Sequence, residues 1–259
     1  MDRLSTQGQA ALASQATAEQ AEWQTRVELA ACYHLCALYG WDDQIYTHIT
    51  AAVPGEPGHF LINPFGFRFD EVRASNLVKV DSHGKIVCRS QHSINVGGFA
   101  LHGAVHAARH DIACVMHLHN PNGIAVGAQA SGLLPLSAHA LRFYEQLAYH
   151  DYEGLDMSEQ EQARLTGRLG QGQAMLLRNH GTLTVGRTIA EAFVLMETLD
   201  KACDIQLRAQ SGGASLHMPP PEVCRKAHLE LVGDGAPEGR LEWKALLRKL
   251  DAVSPSYRT

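Results

Sequence analysis

The sequence lacks any apolar run near the roughly 18 residues that a membrane-spanning helix requires, so no membrane partner is expected. Its first residues, Met1 to Gln7, hold no apolar stretch of the kind that forms the core of a secretory signal. The six cysteines, at 32, 36, 88, 114, 203 and 224, form neither a CxxC pair nor a dense framework. A disulfide scaffold is therefore excluded, and free thiols in a reducing cytoplasm are expected. There is no excess of positive charge: 22 Lys and Arg against 27 Asp and Glu give a net charge of −5 over 259 residues. Such a chain has no general attraction for phosphate backbones or anionic lipid, so nucleic acid is not expected as a partner. Also missing are a GxGxxG run, a Walker pattern and a Gly-x-Ser-x-Gly elbow. What the sequence has in unusual number is histidine, 15 in all, beside a hydrophobic content of 45% that can fill a large core.

Along the chain, residues 1–21 are rich in Ala and Gln and read as a flexible or weakly helical lead. From Trp23 apolar residues recur at helical spacing as far as Leu38, with Gly40 as the stop. Residues 44–52 and 59–62 read as the two arms of a hairpin around a Pro/Gly loop, and 77–80 and 86–88 as a second hairpin around Asp81–Gly84. Helices are predicted over 96–110 and 158–169, with a small-residue helix after the break at Asn120–Gly123 as far as about Gln129, and strands over 114–119, 174–177 and 182–185. Thr188 and Glu191 form a capping-box pattern that starts a long helix ending near Gly212. A Ser/Gly/Pro linker follows, and residues 213–259 read as a linker and short helical tail, with helices over 222–231 and 240–251. Strands and helices mix without a regular βαβ rhythm. The fold class is therefore α+β, with helices over a largely antiparallel sheet.

The best chemical signal is His117-Leu118-His119. Residues i and i+2 of a strand share a face, about 6.6 Å apart at Cα, and two imidazoles so placed can converge on one metal ion. His180 stands in Asn179-His180-Gly181, between two strand-like runs, where Gly181 can take a positive φ and project the imidazole at the sheet edge. Three neutral imidazoles with an open position make a catalytic-type metal site; the alternative is a set of ordinary surface or core histidines. His102, His106 and His110 share one face of the predicted helix, as a second metal site, as a proton relay beside the first, or as a partly exposed face. Gly97-Gly98 reads as close helix–sheet packing in preference to a phosphate cradle.

These residues resemble the class II aldolase/adducin family. The resemblance rests on His102, the run from Arg109 and Asp111 to His117 and His119, and Arg178-Asn179-His180-Gly181; it covers residues 22–212. The runs at 47–50, 60–66 and 94–102 are similar to the adducin-like branch in particular. The resemblance implies a three-layer α/β/α domain with an antiparallel central sheet. It also implies a divalent metal, zinc with manganese as second candidate, held by His117, His119 and His180. A homotetramer with the site near the subunit boundary and a small-molecule substrate are implied as well.

Departures from the family pattern narrow the expectation. Sugar-phosphate aldolases of the family carry Ser-Ser-Glu where this chain has Val96, Gly97 and Gly98, so the usual proton-transferring Glu is absent. The family's phosphate-binding Gly-Asn turn is replaced around Thr47 and His48, and its Thr-Gly pair reads Phe65-Gly66. The substrate expected is a carboxylate or keto acid, with His48, Gly66, Gly97 and Gly98 as binding positions and His106, His139 or Tyr144 in place of the missing base. Arg142 and Arg178 are expected as scaffold. Two functions follow: a metal-dependent lyase using retro-aldol cleavage or decarboxylation, or a non-catalytic head domain of the adducin kind that retains the metal site.

Overall fold

The computed structural model describes residues 6–154 and 157–259, with side chains from residue 15 onward. Residues 1–5, part of the lead, lie outside the described residues. Among the described residues seven strands form one sheet in the order β3-β2-β1-β4-β7-β6-β5. They are β1 His48–Ala52, β2 His59–Ile62, β3 Val78–Asp81, β4 Cys114–Leu118, β5 Ala148–His150, β6 Ala174–Leu177 and β7 Gly181–Gly186. Every pairing is antiparallel except that of β5 with β6. Eight helices accompany it among the described residues: α1 Thr6–Tyr39, α2 Val96–Ala108, α3 Pro121–Gly127, α4 Ala138–Leu141, α5 Glu159–Leu169, α6 Ile189–Ser211, α7 Pro221–Val232 and α8 Arg240–Val253. No described helix is long and apolar enough to cross a membrane.

The strands divide their side chains between two helical layers. Cys114, Met116 and Leu118 of β4 join Ile49 and Ala51 of β1 in a core shared with α1 and α6. Val115 of β4 packs on the opposite face with Leu101 and Val105 of α2 and Leu165 and Leu169 of α5. This alternation with period two also decides the site, because it sends His48, Thr50 and His117 to the α2 face. All five residues of β4 and all six of β7 are buried, as central strands covered on both sides must be.

Local chemistry sets the helix starts. The Asn95 side chain caps α2 by accepting from Gly98 N at 3.1 Å, Ser158 caps α5, and Thr188 caps α6. The capping box at α6 is displaced by one residue: Glu191 accepts not from Thr188 N but from Arg187 N, at 2.6 Å, because its carboxylate is drawn to the Arg187 guanidinium. In the second hairpin the arm at 86–88 is no strand; only Ile86 bridges, to Val80. The helical pattern that begins near Trp23 extends back to Thr6. Arg142 joins Gln173 and Glu238, while Arg178 donates to the carbonyls of Gly127 and Gln129 and covers the Tyr149 ring, so both guanidiniums are scaffold.

Candidate metal centre

His117, near the end of β4, and His119, just beyond it, point the same way along the strand, as the alternation requires. His180 comes from the β6–β7 turn. Each of the three offers one ligand nitrogen, and these nitrogens lie within 4.8 Å of one another. The turn is made differently from the expectation. Asn179 takes the left-handed conformation, φ 59°, not Gly181. Gly181 is needed for close approach: a Cβ there would collide with the Leu118 carbonyl and stand 3.0 Å from Cε1 of His117. The glycine lets β7 pass against the two histidines without displacing them.

Two of the three histidines have their second ring nitrogen engaged. His117 Nδ1 donates to the Thr182 carbonyl at 3.1 Å, and His119 Nδ1 lies 2.9 Å from an Asp43 carboxylate oxygen. Such contacts fix the tautomer that leaves Nε2 with its lone pair free. Burial holds His117 far below the ordinary histidine range, with nearby His48, His180 and His119 adding to the shift. Burial, then His119 and His150, lower His180 to about 4. Both are neutral at physiological pH, which is the ligating form. The donor set therefore fits a divalent ion of the zinc type with room for further ligands.

A cavity of about 280 Å³ opens beside the triad, lined also by Tyr46, Thr47, His48, Asn95, Gly97, Gly98, Leu101 and Met157. None of these described residues is Asp or Glu. Thr47 is the unusual one. A β-branched residue at φ 67°, it is a real backbone outlier, and its buried hydroxyl has no hydrogen-bond partner among the described residues. Strain and an unsatisfied donor together mark a position kept for binding more than for stability. His48 sits opposite His117 in the β1–β4 register. Its imidazole covers Gly98 so closely that a Cβ on Gly98 would overlap His48 Nε2. Gly98 is glycine because His48 occupies the space above it.

Of the other sequence-derived candidates, Gly97 and Gly98 line the cavity and Gly66 does not; Gly66 makes a turn at φ 93°. His106 is buried behind the cavity wall and stacked on Phe60. His139 lies in α4, away from the cavity, and Tyr144 lines a separate groove. Two contributors had no signal in the sequence. Asp43 reaches His119 from the irregular segment before β1, and Thr50 reaches two histidines of α2 across the sheet face.

Comparison with known proteins agrees with this fold. The family description "Class II Aldolase and Adducin N-terminal domain" matches residues 27–207. The chain belongs to the class II aldolase and adducin family. It is 50% identical over 248 residues to a Pseudomonas aeruginosa protein that carries a class 2 aldolase name, covering 94% of this chain and 95% of that one. It is 42% identical over 249 residues to rat alpha-adducin, covering 90% of this chain but 34% of the adducin. The structure of an L-fuculose 1-phosphate aldolase from Glaciozyma antarctica superimposes with a TM-score of 0.81 at 25% identity, covering 93% of each chain.

Proposed function

We propose that this protein is a metal-dependent carbon–carbon lyase acting on a small oxygenated acid, by retro-aldol cleavage or decarboxylation. The observation that carries the reading is the convergence of three imidazoles on the wall of a cavity sized for a small molecule. His117, His119 and His180 would hold the divalent ion, zinc or manganese, which supplies a Lewis acid for vicinal substrate oxygens and for an enolate-like anion. The chain's own residues do the rest. His48 Nε2 presents a hydrogen-bonding nitrogen to a substrate oxygen, and Thr47 forms part of the same wall. Gly97 and Gly98 keep the floor of the cavity free of side chains. Met157 and Leu101 supply apolar wall and limit water.

The test is a panel of short hydroxy and keto acids incubated with the zinc- or manganese-loaded protein, with the carbonyl product or carbon dioxide measured. Turnover of at least one acid, abolished by a chelator and restored by metal, is expected. Sugar phosphates turned over as well as any acid would overturn the substrate class. A protein that binds metal yet turns over none of the acids supports the second reading, a binding domain of the adducin-head kind. The absence of a carboxylate from the described cavity lining favours that reading.

A homotetramer belongs to the same proposal. A groove of about 180 Å³ lined by Leu133, Pro135, Phe143, Tyr144 and Tyr149 offers the aromatic surface favoured at interface cores. His139 and Tyr144, remote from the cavity of their own chain, can serve a site only across such a boundary. Light scattering should give four times the 28.2 kDa chain mass. A monomer that retains stoichiometric metal would remove the assembly from the account.

A further inference from the structure

Behind the cavity wall runs an unbroken line of buried hydrogen bonds. His48 Nδ1 lies 2.8 Å from His102 Nε2, His102 Nδ1 lies 2.8 Å from Thr50 Oγ1, and Thr50 Oγ1 lies 2.9 Å from His106 Nε2. All four side chains are at most 5% exposed. At its inner end His48 Nε2 faces the cavity over Gly98. At its outer end His106 stacks on Phe60 with ring centroids 4.2 Å apart.

We propose that His48, Thr50, His102 and His106 form a proton relay that delivers to or removes from the cavity one proton at His48 Nε2. Three imidazoles and one hydroxyl in series satisfy every link in two ways. In one ordering all three rings carry their proton on Nδ1: His48 donates to His102, His102 to Thr50, and the Thr50 hydroxyl to His106. In the other all three carry it on Nε2, every link is reversed, and His48 Nε2 becomes a donor to the cavity. Passing between them adds a proton at one end and releases one at the other. When a substrate hydroxyl loses its proton, its O–H bond breaks and an N–H bond forms at His48 Nε2. The His48 Nδ1 proton passes to His102 Nε2, the His102 Nδ1 proton to Thr50 Oγ1, the Thr50 hydroxyl proton to His106 Nε2, and the His106 Nδ1 proton to water. The electrons of the broken carbon–carbon bond stay with the departing fragment as its enolate. Each member gains one proton and loses one, so no charge remains in an interior where an uncompensated ion would be costly. His48 is the group that touches substrate; Thr50, His102 and His106 are positioning residues that act through it.

The use of the relay in catalysis rests on the lyase reading, but its existence is tested on the resting protein. Long-range proton–nitrogen spectra of protein labelled with ¹⁵N-histidine read the tautomer of each ring. The expected result is one shared Nδ1–H to Nε2–H ratio at His48, His102 and His106. Thr50→Val removes the middle link, and the ratio at His106 should then part from that at His48; Thr50→Ser should restore the match. Unequal ratios in the wild-type protein overturn the relay whatever the variants do, as when both His102 Nδ1 and His106 Nε2 donate to Thr50. An unchanged match in folded Thr50→Val overturns it too. Matched rings without turnover of any acid would count against the lyase and leave the relay standing. Turnover with unmatched rings would do the reverse.

Discussion

Zinc is expected to raise the unfolding temperature of the wild-type protein in a concentration-dependent way, and His180→Ala is expected to abolish that rise. A ligand that binds only the folded state stabilises it by about 4 kcal/mol at a thousand times its dissociation constant, which for a chain of this size is a shift on the order of 10 °C. His180 is the ligand to remove because the fold depends on it least. It is half-buried on a turn whose shape is set by Asn179, whereas His117 is buried and bonded to the Thr182 carbonyl. Two imidazoles would remain, too few for a site of this type. Thermal scans with and without zinc decide it, alongside metal analysis of the purified protein. A variant that still gains the wild-type shift would show that His180 is no ligand.

The second large effect is expected at Gly98. Gly98→Glu should cost about 1–3 kcal/mol of stability, the usual range for forcing atoms into a packed site, because the new Cβ and the His48 imidazole claim the same volume. His48→Ala also destabilises, since it strips His102 of a buried partner. Together the two substitutions should cost less than the sum, with an interaction of about 1–3 kcal/mol, as contacting residues commonly show. Denaturant unfolding of the four proteins measures it. Strict additivity would mean that the imidazole can swing clear of Gly98 and that the glycine has another reason. The same geometry rules out a plain restoration of a family carboxylate by Gly98→Glu alone: the glutamate and His48 exclude one another.

The convergence of the three histidines was legible in the sequence because strand alternation and a tight turn are local. Two residues apart on β4, His117 and His119 must share a face, and a polar turn between the apolar runs of β6 and β7 must stand at a sheet end. The antiparallel α+β class was legible for the same reason. What escaped depends on register between distant segments. That His48 lies opposite His117, and that Thr50 falls between His102 and His106, follow from pairing β1 to β4 and laying α2 over both. No spacing in the chain states that. Asp43 escaped because an irregular segment has no period from which to read a direction. Gly181 was expected to serve the turn through its φ, but it serves through its missing Cβ; the two demands look alike in a sequence.

The sheet order also governs when the site can come into being. His117 and Thr182 stand 65 residues apart, and Thr50 and His106 stand 56 apart, so both flanks of the candidate metal centre close long loops. Contacts of that sequence separation are costly in chain entropy and slow to form. No short fragment of the nascent chain holds the three histidines together, so a metal held by them would not template the early stages of folding. Its influence falls on the finished molecule. An ion gripped only after β4 has met β7 stabilises the native state without stabilising the barrier top, and so it lengthens the life of the folded protein while leaving the speed of folding unchanged.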